Sequence, residues 1–202
     1  MDAKAQLVFS LHSIGAIKFG AYKLKSGILS PFYLDLRVLV SHPRVLRDTA
    51  LVMAQLLATL TFDRIAAIPY AALPIGTAVA LEMDRPLVYP RREKKDYGTG
   101  RAVEGEYRAG ETCVVIDDVI TTGASKIEAI EPLTLAKLKV RDIVVLVDRE
   151  QGGAQEIAKK GYAVHSIFKI TEMMSILEEA GKVTESQHRD VLTFLSQNGV
   201  QA

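Results

Sequence analysis

The sequence predicts an α/β fold: a mainly parallel sheet flanked by helices. Three observations lead there. Short β-branched runs lack the polar alternation of a half-exposed sheet, amphipathic stretches lie between them, and capping residues mark several junctions. Leu46, Ala50, Met53, Leu57 and Leu60 repeat at the spacing of one helical face, so about 43–60 reads as an amphipathic helix. Ile65–Ile68 follows as a short buried strand, Leu73–Met83 as a helix and Leu87–Tyr89 as a strand. Thr112–Ile116 and Asp142–Val147 read as parallel strands covered on both faces, with a helical stretch, Ala124–Leu138, between them. Gly153–Lys160 reads as a helix and Tyr162–Ile167 as a strand. Thr171 is expected to cap the next helix and Gly181 to close it. Thr184–Gln187 has capping-box spacing for a last helix, with Val191, Leu192 and Leu195 on its buried face.

Composition narrows the possible functions. The chain has 202 residues, 49% hydrophobic and 24% charged, which is ordinary for a folded domain. It carries no evident linker, repeat or low-complexity segment, and residues 1–202 are expected to form one domain. The balance of 25 basic and 24 acidic residues gives no sign of a nucleic-acid or membrane-surface partner. The single cysteine, Cys113, excludes an internal disulfide framework and reads as a small core residue. The N-terminal residues do not read as a secretory signal, and no apolar run exceeds five residues. A membrane-spanning helix needs roughly 20. A soluble cytoplasmic protein is expected.

Chemistry concentrates in Val114-Val115-Ile116-Asp117-Asp118-Val119-Ile120-Thr121-Thr122-Gly123-Ala124-Ser125. An apolar strand delivers Asp117 and Asp118 to the C-terminal edge of the sheet, where open α/β folds bind ligands. Adjacent carboxylates can accept hydrogen bonds from vicinal hydroxyls such as those of a ribose. Thr121 to Ser125 then enter a helix, where small residues let a phosphate approach the backbone N–H groups and the positive end of the dipole. A ribose diol and a phosphate held by one turn describe a ribose 5-phosphate site. Walker-type, dinucleotide-binding and zinc-protease motifs are absent from the sequence. The whole string, Asp117, Asp118, Val119, Ile120, Thr121, Thr122, Gly123, Ala124 and Ser125 included, resembles the phosphoribosyl pyrophosphate (PRPP) motif of the type I phosphoribosyltransferases.

A second segment, Arg91-Arg92-Glu93-Lys94-Lys95-Asp96-Tyr97-Gly98-Thr99-Gly100-Arg101, holds five basic and two acidic residues. Such a loop suits a pyrophosphate leaving group, because cations closing over it stabilise developing charge and exclude water. Its first eight residues resemble the catalytic loop of orotate phosphoribosyltransferases. Lys25-Ser26-Gly27 with Ser30-Pro31-Phe32-Tyr33-Leu34-Asp35, and Asp148-Arg149-Glu150-Gln151-Gly152-Gly153, match the same family in the same order.

That resemblance implies a type I phosphoribosyltransferase-like sheet with a small lid from the terminal segments. It implies transfer of ribose 5-phosphate from PRPP to orotate in pyrimidine biosynthesis. Asp117 and Asp118 would hold the ribose hydroxyls, directly or through magnesium and water, and Thr121 to Ser125 the 5-phosphate. Arg91, Arg92, Lys95 and Tyr97 would serve PRPP, with Lys95 the main catalytic cation. Lys25, Tyr33, Leu34, Thr121 and Arg149 would line the orotate pocket. Magnesium would be carried by PRPP, without direct protein ligands. A homodimer would complete each site with the partner's basic loop.

Three positions depart from many bacterial members, which carry lysine at Ala71, lysine at Arg92 and histidine at Tyr97. The Tyr70-Ala71 pair and Tyr97 look more like the version fused to a decarboxylase. Two alternatives share the PRPP motif: a purine-specific transferase, and a regulatory protein that binds PRPP without catalysis. Lys25 and Arg149 favour an acidic base over a purine, and the basic loop with Lys95 favours an enzyme. His12, His42, His165 and His188 are assigned no role.

Overall fold

In a computed structural model, residues 2–24, 27–92 and 102–199 are described. The central sheet has six strands in the order β5-β4-β3-β6-β7-β8. They are β3 (Arg64–Ala67), β4 (Leu87–Pro90), β5 (Val103–Glu104), β6 (Thr112–Ile120), β7 (Lys139–Asp148) and β8 (Ala163–Lys169). All pairs are parallel except β4 with β5. The remaining two strands, β1 (Ile17–Lys23) and β2 (Leu29–Leu34), form a separate antiparallel hairpin.

Alternation along the strands explains the nearly continuous apolar runs. Val114 and Ile116 of β6, with Val144 and Leu146 of β7, face a core shared with α1 (Ala3–Ser13), α2 (Pro43–Leu57), α3 (Ala72–Met83), α6 (Ile170–Glu179) and α7 (Glu185–Asn198). Cys113 and Val115, with Ile143 and Val145, face a second core under α4 (Ala124–Leu135) and α5 (Gly153–Lys159). Both faces are buried, so both sets must be apolar. The terminal segments and the hairpin gather on the first face: α1 packs on α6, α6 on α7, and α7 on β2. That is the expected lid.

The expected elements are present, with corrections at their ends. α2 stops at Leu57 and α4 at Leu135, whereas β6 and β7 run on through Ile120 and Asp148. Thr171 is not a cap: β8 passes directly into α6 after Lys169, and the Thr171 N–H donates to Glu150 Oε2 at 2.9 Å. Gly181 does close α6, donating to the Glu178 carbonyl at 2.8 Å. The capping box of α7 forms, with Gln187 N–H donating to Thr184 Oγ1 at 3.2 Å. Leu192 is 44% exposed and leaves the buried face to Phe194 beside Val191 and Leu195.

Candidate active site

The C-terminal ends of β4, β3, β6 and β7 lie side by side, and each is followed by a segment with polar chemistry. Arg91 and Arg92 follow β4, Tyr70 and Ala71 follow β3, Asp117 to Ser125 end β6 and enter α4, and Arg149 follows β7. Backbone bonds tie these ends together: Ile68 N–H to the Ile116 carbonyl, and Arg149 N–H to the Ile120 carbonyl, both 3.0 Å. One sheet edge therefore unites motifs far apart in sequence.

The turn Thr121–Gly123 is shaped by glycines. Gly123 has a φ of +84°, left-handed backbone that a side chain rarely adopts. Gly153 N–H donates to the Thr121 carbonyl at 2.8 Å, and a Cβ on Gly153 would lie 2.5 Å from that oxygen. Among the described residues, the N–H groups of Thr122 to Ser125 have no backbone acceptor, as befits a helix start open to an anion. Thr122, Ala124 and Ser125 are exposed and Thr121 and Val119 half-buried. Ile120 is different: its side chain is fully in the core, so only its backbone faces the edge.

The two acids of the pair differ in surroundings. Asp117 is 5% exposed, accepts the Asp118 N–H on Oδ1 at 2.9 Å and forms an ion pair through Oδ2 with Lys126. Asp118 is half-buried and accepts the Val119 N–H at 2.8 Å. Burial, with Asp117 beside it, pushes the Asp118 carboxyl above the usual range. Among the described residues no group of three or more His, Cys, Asp or Glu side chains could hold a metal.

Arg149 is the buried cation on the opposite side of the turn, 5% exposed. Its Nη2 donates to Ser30 Oγ at 3.2 Å and its Nε to Gln151 Oε1 at 3.0 Å, and the guanidinium lies 4.4 Å from the Phe32 ring centroid. No ion pair joins it to a carboxylate among the described residues, and burial pulls it down to about 10. Ser30 is itself 1% exposed and donates to the Phe32 carbonyl at 2.7 Å. The hairpin thus brings its residues to Arg149. Tyr33 stacks on Tyr22 with ring centroids 5.5 Å apart, and its hydroxyl accepts from Arg37 Nη2 at 3.1 Å. Leu34 is a core side chain.

Arg91 is paired with Glu104 of β5. Arg92 is exposed and lies 5.6 Å from the ring centroid of Tyr70, itself 59% exposed. Lys25, Lys95 and Tyr97 lie outside the described residues. Cys113 is a core residue whose thiol burial pushes up to about 12. His165 pairs with Asp142 at 2.8 Å and His188 with Glu178 at 2.6 Å, away from this edge. Sequence reasoning missed Lys126, because a lysine early in a helix reads as solvated. Nothing local to Ser30 marks a role for it; only the fold puts this serine against a residue 119 positions away.

Comparisons with known proteins agree with this geometry. A model of the phosphoribosyl transferase domain matches residues 37–178. The chain is 40% identical to uridine 5'-monophosphate synthase of Bos taurus, over 97% of this chain and 41% of that protein. It is 37% identical to orotate phosphoribosyltransferase of Pyrobaculum aerophilum, over 95% of this chain and 98% of that one. A solved structure of UMP synthase from Leishmania donovani superposes with a TM-score of 0.90 at 42% identity, covering 97% of this chain and 43% of that chain. The chain spans 38%, 41% and 42% of the length of three larger relatives.

Proposed function

The chain belongs to the phosphoribosyltransferase family and groups with its orotate-using members, and from that premise we propose that it transfers ribose 5-phosphate from PRPP to orotate. The observation that carries this reading is a buried guanidinium without a carboxylate partner among the described residues, one backbone bond away from the ribose-phosphate turn. Orotate is an anion, and a planar guanidinium suits its carboxylate.

In the proposed reaction a ring nitrogen of orotate attacks the anomeric carbon as its bond to pyrophosphate breaks. The glycosidic N–C bond forms as that nitrogen gives up its proton to water, and the electron pair of the broken C–O bond leaves with pyrophosphate, giving orotidine 5'-monophosphate. The chain's part is positioning and charge stabilisation. Thr121 to Ser125 hold the 5-phosphate on unspent N–H groups, and Asp118, supported by Asp117, faces the ribose hydroxyls and favours the positive charge that grows on the sugar. Arg149 orients orotate with Lys25, Tyr33 and Thr121, while the Leu34 side chain supports the hairpin from the core. Lys95 and Tyr97, with Arg91 released from Glu104 and Arg92, serve the pyrophosphate.

Both Asp117 oxygens are engaged, by Lys126 and the Asp118 N–H, which fits a magnesium ion carried by PRPP that keeps water and substrate oxygens without direct protein ligands. When present with PRPP, it would supply Lewis-acid neutralisation of the leaving group. We further place the protein in the cytoplasm as one domain over residues 1–202, acting as a homodimer whose basic loops complete the partner's sites; among the described residues no helix is long and apolar enough to cross a membrane. The direct assay is loss of orotate absorbance with PRPP and magnesium, run beside hypoxanthine. Turnover of hypoxanthine with orotate untouched would overturn the substrate.

A further inference from the structure

We propose that Lys126 is a positioning residue for the PRPP site: by clamping Asp117 and the Val119 carbonyl from beneath, it fixes the end of β6 so that Asp118 and the phosphate turn are presented to the ligand. This rests on the reading of that turn as a ribose-phosphate site. The observations are these. Lys126 is the third residue of α4 and only 5% exposed. Its ammonium forms an ion pair with Asp117 and donates to the Val119 carbonyl at 2.6 Å. Two influences oppose a cation there: loss of water, and the positive end of the helix it stands on. A buried ion pair adds little net stability over apolar side chains of the same volume. Stability alone therefore gives no reason for one beneath a ligand turn.

Geometry gives a reason. Asp117 and Val119 flank Asp118 in sequence, so Lys126 holds the Asp117 side chain on one side of it and the Val119 backbone carbonyl on the other. Asp117 spends one oxygen on Lys126 and the other on the Asp118 N–H. The strand end is then held by α4, the same helix whose first turn carries the phosphate N–H groups. Lys126 spans from one half of the site to the other, and the spacing of ribose and phosphate contacts depends on it.

The test compares Lys126→Met, Lys126→Arg, Asp117→Asn and the double variant Asp117→Asn with Lys126→Met. PRPP affinity is measured by calorimetry without orotate, together with Tm and both KM values. Lys126→Met is expected to weaken PRPP binding by about tenfold or more, the scale of a lost charge-assisted bond, with the orotate KM within about twofold. Lys126→Arg should recover most of the loss. The double variant should bind PRPP no worse than the weaker single, because both act through one unit. PRPP affinity equal to wild type in Lys126→Met would overturn the inference, as would losses that multiply in the double. Should Lys126→Met fail to fold, the uncharged double variant replaces it; wild-type affinity there makes the pair purely structural and overturns the inference. A wild-type chain that binds PRPP but leaves orotate untouched contradicts the proposed substrate and not the role of Lys126. One that binds no PRPP contradicts both.

Discussion

Arg149 shows how one residue links burial to specificity. A guanidinium 5% exposed and unpaired with any described carboxylate is costly to keep, and its neighbours Ser30, Gln151 and Phe32 orient it without neutralising it. An anionic substrate supplies the missing charge. Arg149→Ala should raise the orotate KM by roughly 30-fold, about 2 kcal/mol for a charge-assisted pair, and leave the KM for PRPP within about twofold. Steady-state kinetics with each substrate varied reads both numbers; equal rises in the two would show that Arg149 acts on the fold instead. This residue was legible in the sequence because Asp148-Arg149-Glu150-Gln151-Gly152-Gly153, at the end of a β-branched strand, resembles an orotate phosphoribosyltransferase motif. Lys126 was not, since charge early in a helix ordinarily faces water, and only the packing of α4 on β6 turns it inward.

Elements carry the next level of constraint. The parallel strands were legible because both faces of the sheet are covered, which forces apolar residues on both faces over Cys113–Ile116 of β6 and Ile143–Val147 of β7. The hairpin was not: β1 is interrupted by Gly20, and its register with β2 shifts between Phe19 and Tyr22, which breaks the alternation a strand should show. Thr171 misled because threonine is a common cap, yet its N–H goes to Glu150. The junction between β6 and α4 depends on close backbone approach. A Cβ on Gly153 would come within 2.6 Å of Ile120 Cγ1 as well as against the Thr121 carbonyl. Gly153→Ala should therefore lower stability by about 1–3 kcal/mol in denaturant melts and weaken PRPP binding in parallel. An unchanged melt with unchanged affinity would remove the turn from the account. At the opposite edge, Arg64 opens β3 and its Nη2 donates to Glu111 Oε1 at 2.9 Å. The guanidinium, with the Arg108 N–H, holds Glu111 at about 2, below its usual 4.5. A depressed acid stabilises the fold above its unfolded value, and that contribution is lost as pH falls through the folded one. Thermal melts of Glu111→Gln should match wild type more closely at pH 2 than at pH 6; a gap that widens on acidification would contradict the sign.

For the whole molecule, order along the chain and order in space diverge. The sheet order β5-β4-β3-β6-β7-β8 brings segments after β4, β3, β6 and β7 to one edge, and the hairpin joins them from the lid. The sequence motifs announced which segments belong together; the side-by-side arrangement needed the topology. A shared site between two copies is the largest-scale proposal. Lys95→Ala mixed with Asp117→Asn plus Asp118→Asn, each nearly inactive alone, should regain up to about half of wild-type activity per heterodimer, because one site then carries both defects and the other none. No recovery after verified subunit exchange would place the loop in its own site. The central claim is orotate phosphoribosyl transfer, and its most direct measurement is product stoichiometry. With PRPP and magnesium, one pyrophosphate and one orotidine 5'-monophosphate should appear for each orotate consumed, with little product from uracil and little activity in excess EDTA. Pyrophosphate released without loss of orotate, or uracil used as readily as orotate, would contradict it.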